Sequence, residues 1–219
     1  LGTYLRDLGF NVDFAPDADV LSNPENEVVR YRSFGSDPAL VAEMAAAELK
    51  GLKEQGVLGC YKHFPGHGAT AGDTHAGYAY TDKTLEELMS CELIPFQRGV
   101  EEGVSMIMAG HISLPSVVGD DTPASLSSTM ITEVLRGQMG YDGIVITDAM
   151  NMGAISQSYS SGEAAVRAIL AGADMILMPG DFSSAYAGVL EAVENQTISM
   201  ERLDESVARI LRVKLGLPS

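Results

Sequence analysis

Apolar residues fall in short unbroken runs along this chain, each followed by a loop and then by a stretch with helical spacing. The runs are NVDFAP (11–16), VLGCYKHF (57–64), VSMIMAGHI (104–112), GIVITDAM (143–150) and DMILMPG (174–180). Most lack the alternation of a half-exposed strand, as expected of parallel strands covered on both faces. Helical spacing fills the intervals at 38–55, 84–102, 128–139, 161–172, 183–194 and 199–215. Thr84 and Glu87 have capping-box spacing. Pro95 is expected to kink or loosen the second helix. Ser199 is placed to cap the last helix, and Gly216 with Pro218 to stop it.

Strict alternation of strand and helix predicts a parallel α/β fold. A doubly wound sheet should carry a glycine-rich phosphate turn after a strand, and neither G-x-G-x-x-G nor G-x-x-x-x-G-K-[ST] occurs. In a (β/α)8 barrel, functional side chains collect at the C-terminal ends of several strands. Here Asp17 and Asp19 follow the first run, Lys62 and His63 end the second, His111 the third and Asp148 the fourth. The expectation is a (β/α)8 TIM-type barrel of which only about the last five β/α units are present. LGTYLRDLGF opens with helical periodicity and no start signal, so the chain is expected to be N-terminally incomplete.

Composition narrows the function. At 46% hydrophobic and 20% charged, the 219 residues read as an ordinary soluble globular domain. A formal charge of −16 argues against a nucleic-acid partner and against an anionic membrane surface. No segment is long enough to span a bilayer. Cys60 and Cys91 make neither a metal spacing nor a disulfide framework and read as buried thiols.

The chemistry concentrates in KHFPGHGATAGDTHAGY (62–78), which holds three of the four histidines. A glycine-rich loop after a strand can close over a ligand and deliver a side chain. Asp73 and His75, one residue apart, allow a carboxylate to bond an imidazole and favour its charged form. Such a histidine can give and recover a proton near neutral pH. The same residues also fit a solvated polar loop. Asp148 ends an apolar strand, where a carboxylate suits a nucleophile, a metal ligand, an electrostatic stabiliser or a helix cap. Arg30 and Arg32 suit contacts to hydroxyls or a carboxylate, or simply face solvent. His111 reads as a satisfied core histidine, and Met106 and Met108 as packing. His63, His67, Asp73 and His75 could ligate a metal, but no helical ligand spacing exists and Lys62 would repel a cation. No metal and no cofactor is expected.

KHFPGHG, GDTH, PASLS and GYDGIVITDAMNMGAI, with NVDFAPDADV, RSFGSDP and LDESVARILRVKLGL, resemble glycoside hydrolase family 3 in family order over essentially the whole chain. The resemblance is strongest to the bacterial β-N-acetylglucosaminidases (β-N-acetylhexosaminidases) of peptidoglycan turnover. It implies that residues 1–219 are the C-terminal two thirds of a single (β/α)8 catalytic domain. It further implies a retaining exo-glycosidase that releases terminal β-N-acetylglucosamine through a covalent glycosyl-aspartate. Asp148 matches the nucleophile, His75 the general acid/base and Asp73 its partner. Lys62, His63 and Arg32 match substrate-binding residues. A further substrate-binding aspartate of the family has no counterpart here. The implied partner is a small carbohydrate; oligomeric state and compartment are not implied. The competing readings are a β-glucosidase-type or phosphorolytic member of the same family, a metal-dependent hydrolase, and a non-catalytic sugar-binding module.

Overall fold

The computed structural model describes residues 1–71, 77 and 79–216. Helix α1 (Gly2–Asp7) leads into strand β1 (Val12–Asp13), and a long loop brings the chain to α2 (Pro38–Lys53). Asp37 starts α2 by accepting the Ala39 amide at 2.9 Å, and Pro38 occupies the first turn, where no N–H is needed. Strand β2 (Leu58–Phe64) follows, then β3 (Ala79–Tyr80), α3 (Leu85–Met89) and α4 (Ile94–Glu101). Next come β4 (Met106–Ala109), β5 (Ile112–Ser113), α5 (Pro115–Val118), a π-helical segment Thr129–Gln138 and β6 (Ile144–Thr147). Four helices close the chain: α6 (Gly153–Ser156), α7 (Ser161–Ala171), α8 (Phe182–Glu194) and α9 (Met200–Leu215).

The main sheet runs β1-β2-β4-β6, every neighbouring pair parallel. Its strands lie side by side in chain order, with no switch point, as in an arc of a barrel. The register separates two faces. Tyr61, Ile107 and Val145 form one row. They belong to the larger core with Ala45 and Leu49 of α2, Phe96 of α4, Ile131 and Leu135 of the π-helical segment, and Ala164 and Ala168 of α7. Each large apolar side chain fully buried there contributes about 1.5–3 kcal/mol. Cys60, Met106 and Ile144, then Met108 and Ile146, form the other face with Phe14, Met175 and Leu177. Helices α2, α4 and α7 therefore cover one face, while strand side chains line the other, where Ile210 and Val213 of α9 also pack. This is a partial (β/α)8 barrel, as the alternation predicts.

Differences from expectation lie at element ends. The 11–16 run is in regular ladder register only at Val12 and Asp13, with an isolated bridge at Asp17–Lys62, although the Ala15 and Pro16 carbonyls still accept the Cys60 and Lys62 amides at 2.8 and 3.2 Å. The 104–112 run splits into β4 and β5; Gly110 and His111 leave the main sheet, and β5 pairs with β3 instead. The 174–180 run lies beside β6 with a single isolated bridge, Ile146–Met175, and with the Thr147 and Met150 amides donating to the Met175 and Leu177 carbonyls at 3.1 and 2.9 Å. Side chains occupy places in that ladder: Asp174 Oδ2 accepts the Val145 amide at 2.9 Å, and Thr147 Oγ1 accepts the Leu177 amide at 3.0 Å. The predicted 84–102 helix is two helices, and Pro95 sits in the first turn of α4. Thr84 and Glu87 form the capping box. Ser199 caps α9, and Gly216 ends it in a left-handed conformation. Both cysteines are free, and Cys60 is buried as expected, but Cys91 is only half-buried.

Candidate active site

Two loops and two strand ends meet at the C-terminal edge of the sheet. The side-chain alternation that sends Ile144 and Ile146 to the inner face sends Asp148, just past β6, the same way. Lys62 continues the alternation of Cys60 on β2 and is half-buried. Asp148 is half-buried, its amide donates to the Ala109 carbonyl at 2.9 Å, and its Oδ1 accepts the Ala149 amide at 2.7 Å. The other carboxylate oxygen accepts no hydrogen bond among the described residues. Burial alone would raise the Asp148 pKa. The His63 and His111 rings, the Ala149 amide and His67 outweigh it and hold the carboxyl below its ordinary value. The group is therefore a carboxylate at any pH near neutral.

His63 is buried and held from both sides. Its Nδ1 meets Asp19 Oδ2 at 2.7 Å and its Nε2 meets Arg32 Nη2 at 3.3 Å. A carboxylate accepts and a guanidinium donates, so we assign the proton to Nδ1 and the lone pair to Nε2. Burial, helped by Arg32 and Lys62, pushes His63 down to about 4 against the pull of Asp148 and Asp17. Burial likewise lowers His67, whose Nδ1 lies 2.9 Å from Thr70 Oγ1. His111 is buried between Ser125 Oγ at 2.7 Å and the Ala149 carbonyl at 3.0 Å, which ties β4–β5 to the segment carrying Asp148.

Asp19 is the hub of the β1 end. Fully buried, it accepts from the His63 amide at 3.2 Å, the His63 ring and the His67 amide at 2.6 Å. Burial raises its pKa, while the His67 ring and the two amides oppose the rise. Arg32 Nε lies 3.4 Å from Asp17 Oδ2, and burial with the adjacent Asp19 pushes Asp17 up to about 7. The loop after β2 rests directly on the β1 loop at Gly68, where a Cβ would collide with the Val20 carbonyl. Lys83, between β3 and α3, pairs with the buried Glu92, which also accepts Ser22 Oγ.

Of the residues singled out from sequence, Asp148, His63 and Arg32 are brought into one electrostatic cluster, with Lys62 on the same edge. Arg30 points elsewhere, over the exposed Tyr31 ring. Asp73 and His75 lie outside the described residues. Sequence reasoning placed Asp17 and Asp19 at a strand end but gave them no role; their position at the C-terminal end of β1 was the available signal. Asp17, Asp19 and His63 offer ligand atoms within 4.8 Å of one another, the only such trio among the described residues. The Arg32 guanidinium stands against this trio, and His63 Nδ1 is spent on Asp19, so its donors serve a hydrogen-bond network. A cleft of about 460 Å³ opens at the opposite end of the sheet, under Leu58, Ser105 and Gly143 against Arg209. None of the residues singled out for chemistry lines it.

Comparison with known proteins bears directly on this arrangement. Residues 1–213 match the glycosyl hydrolase family 3 N terminal domain. Beta-hexosaminidase A of Pseudoalteromonas piscicida is 34% identical over the whole chain, which covers 40% of that protein. Beta-hexosaminidase LpqI of Mycobacterium tuberculosis is 37% identical over 97% of the chain and 56% of its own length. The solved glycoside hydrolase family 3 β-N-acetylglucosaminidase from Paenibacillus sp. str. FPU-7 superposes with a TM-score of 0.95 at 42% identity, covering 98% of this chain and 41% of that one. The chain thus spans about half the length of its curated relatives. Its strand-end carboxylate, Lys-His pair and arginine loop are carried on a fold shared along nearly its full length with these proteins, and the chain belongs to glycoside hydrolase family 3.

Proposed function

We propose that this chain is the larger part of a single catalytic domain that releases terminal β-N-acetylglucosamine with retention, from substrates such as peptidoglycan fragments. The observation that carries the reading is Asp148: an ionised carboxylate at a strand end, with one oxygen fixed and the other without a hydrogen bond among the described residues, beside His63. The relatives support the substrate class, since those compared are hexosaminidases and a β-N-acetylglucosaminidase.

In the first step the second oxygen of Asp148 attacks the anomeric carbon as the glycosidic bond breaks. Protonated His75, with Asp73 beside it in sequence, gives its proton to the leaving oxygen. In the second step neutral His75 takes a proton from water, which displaces the aspartyl ester, and two inversions give retention. The described imidazoles support this division of labour. His63 is neutral above about pH 4, His67 is lowered by burial, and both ring nitrogens of His111 are engaged. His75 is the remaining histidine of the four. Arg32, Lys62 and neutral His63 are assigned to sugar hydroxyls.

The test uses the full-length enzyme and a nitrophenyl β-N-acetylglucosaminide. Asp148→Ala should lower kcat by at least about 10³-fold with the thermal midpoint retained. Added azide should restore turnover of that variant and yield the inverted glycosyl azide. Turnover that survives the substitution, or azide product of retained configuration, excludes Asp148 as nucleophile. Sugar 1-phosphate in place of free sugar, in phosphate buffer, would move the reaction to phosphorolysis.

A further inference from the structure

The loop after β1 carries Asp17, Asp19 and Arg32, and the loop after β2 carries, in sequence, Asp73 and His75. Asn26 joins the two loops. It is buried, and both ends of its amide are used in opposite senses. Nδ2 donates to the His67 carbonyl at 2.8 Å and the Thr70 carbonyl at 3.2 Å, and lies 3.2 Å from Thr70 Oγ1. Oδ1 accepts the Val28 amide at 3.0 Å and the Val29 amide at 3.1 Å. The Val29 carbonyl in turn accepts the Arg32 amide at 2.9 Å. One side of Asn26 thus shapes the turn that leads to Arg32.

The other side holds the neck of the second loop. Asn23 Nδ2 also donates to the Thr70 carbonyl, at 2.9 Å. One residue further on, Ala71 and Tyr80 exchange both backbone hydrogen bonds, at 3.0 and 3.2 Å. Tyr80 belongs to β3, which lies parallel on β5. The chain is therefore anchored at Thr70–Ala71 and again at Tyr80, and His75 lies between those anchors in sequence.

We propose that Asn26 is a positioning residue of the reaction: it holds the neck of the segment bearing His75 in register with the turn bearing Arg32. This rests on His75 being the acid/base. Only an amide meets the demand. A carboxylate of the same shape would keep the two bonds to Val28 and Val29 but turn an oxygen toward the carbonyls of His67 and Thr70, where a donor is required.

The test compares the full-length wild type with Asn26→Asp, His75→Ala and the double variant. A nitrophenyl β-N-acetylglucosaminide needs little protonation of its leaving group; an alkyl β-N-acetylglucosaminide needs it fully. Asn26→Asp should lower kcat for the alkyl glycoside about tenfold to a hundredfold more than for the nitrophenyl glycoside, as expected of a displaced acid. In the His75→Ala background it should add no further loss on the alkyl glycoside. Equal losses on both substrates, or the same loss in both backgrounds, overturn the proposal while leaving His75 in its role. If His75→Ala itself shows no dependence on the leaving group, the acid/base reading fails and this proposal with it. Should Asn26→Asp unfold below assay temperature, Asn23→Ala, which removes the second donor to Thr70 together with the acceptor of the Glu25 amide, must show the same split in weaker form; equal losses there overturn the proposal.

Discussion

Asp17 and His63 exchange the protonation states that they would hold in water. Burial and Asp19 push Asp17 up to about 7, and burial pushes His63 down to about 4. Between those values the folded site holds its proton on the carboxyl, whereas the unfolded chain holds one on the imidazole. The number of bound protons is the same in both states, so the pair adds little slope to stability between pH 4 and 6.5. Asp17→Asn removes the carboxyl's share. The unfolded variant still protonates His63 as pH falls below 6.5, while the folded variant does not, so its stability should drop toward pH 4 where the wild type holds. Thermal midpoints of the full-length protein across that window check this; parallel curves would show that the two groups do not compensate. The same residues explain why the site was only half legible in sequence. Asp148, Lys62, His63 and Arg32 stand at strand ends or in motifs, where pattern and family resemblance point to them. The neutrality of His63 and the work of Asp19 and Asn26 depend on burial and on contacts 41–48 residues apart, which local spacing does not encode.

At the scale of elements, α9 is fastened by the buried carboxylate of Asp174, with the exposed Asp142 pairing Arg209 and Arg212 beside it. The Asp174 side chain is fully buried; its Oδ2 accepts from Arg136 at 2.7 Å and the Val145 amide at 2.9 Å, and its Oδ1 from Ser206 at 2.7 Å and Arg209 at 3.3 Å. Ile210 and Val213 of α9 pack on the inner-face cluster beside these bonds. Removing the carboxylate leaves Arg136 and Arg209 without their buried partner. Asp174→Asn should cost about 3–5 kcal/mol of stability in denaturant unfolding, against almost nothing for the exposed Asp204→Asn. A change under about 1 kcal/mol would mean that apolar packing alone docks the helix. Asp174 also interrupts the fifth ladder at its first position. The 174–180 run has strand composition, but its first side chain takes the hydrogen bond that a strand backbone would make. Helix boundaries, by contrast, were readable: Asp37, Thr84 with Glu87, and Ser199 each act on backbone within three residues of themselves.

Across the whole molecule the charge is far from balanced, at −16 over 219 residues. Much of that charge lies on exposed acids of the outer helices, whose mutual repulsion disfavours the compact state. Raising salt from low ionic strength to about 0.15 M shortens the screening length to about 8 Å and should raise the thermal midpoint. A lowered midpoint would show that attractive pairs such as those around Asp174 and Asp142 dominate instead. Both edges of the arc carry exposed apolar side chains, Leu1, Tyr4, Leu8 and Phe10 on one and Phe182, Tyr186 and Leu190 on the other. Among the described residues, no helix is long and apolar enough to cross a membrane.

The amino-acid order by itself determined the alternation of strand and helix, the caps and the strand-end carboxylate, because periodicity, turn chemistry and capping act between near neighbours in the chain. Only the tertiary structure decided which strand ends face one another, that His63 is held neutral between Asp19 and Arg32, and that one asparagine amide joins the two loops of the mouth. Those outcomes follow from desolvation and from contacts between distant segments, and neither exists until the sheet has assembled.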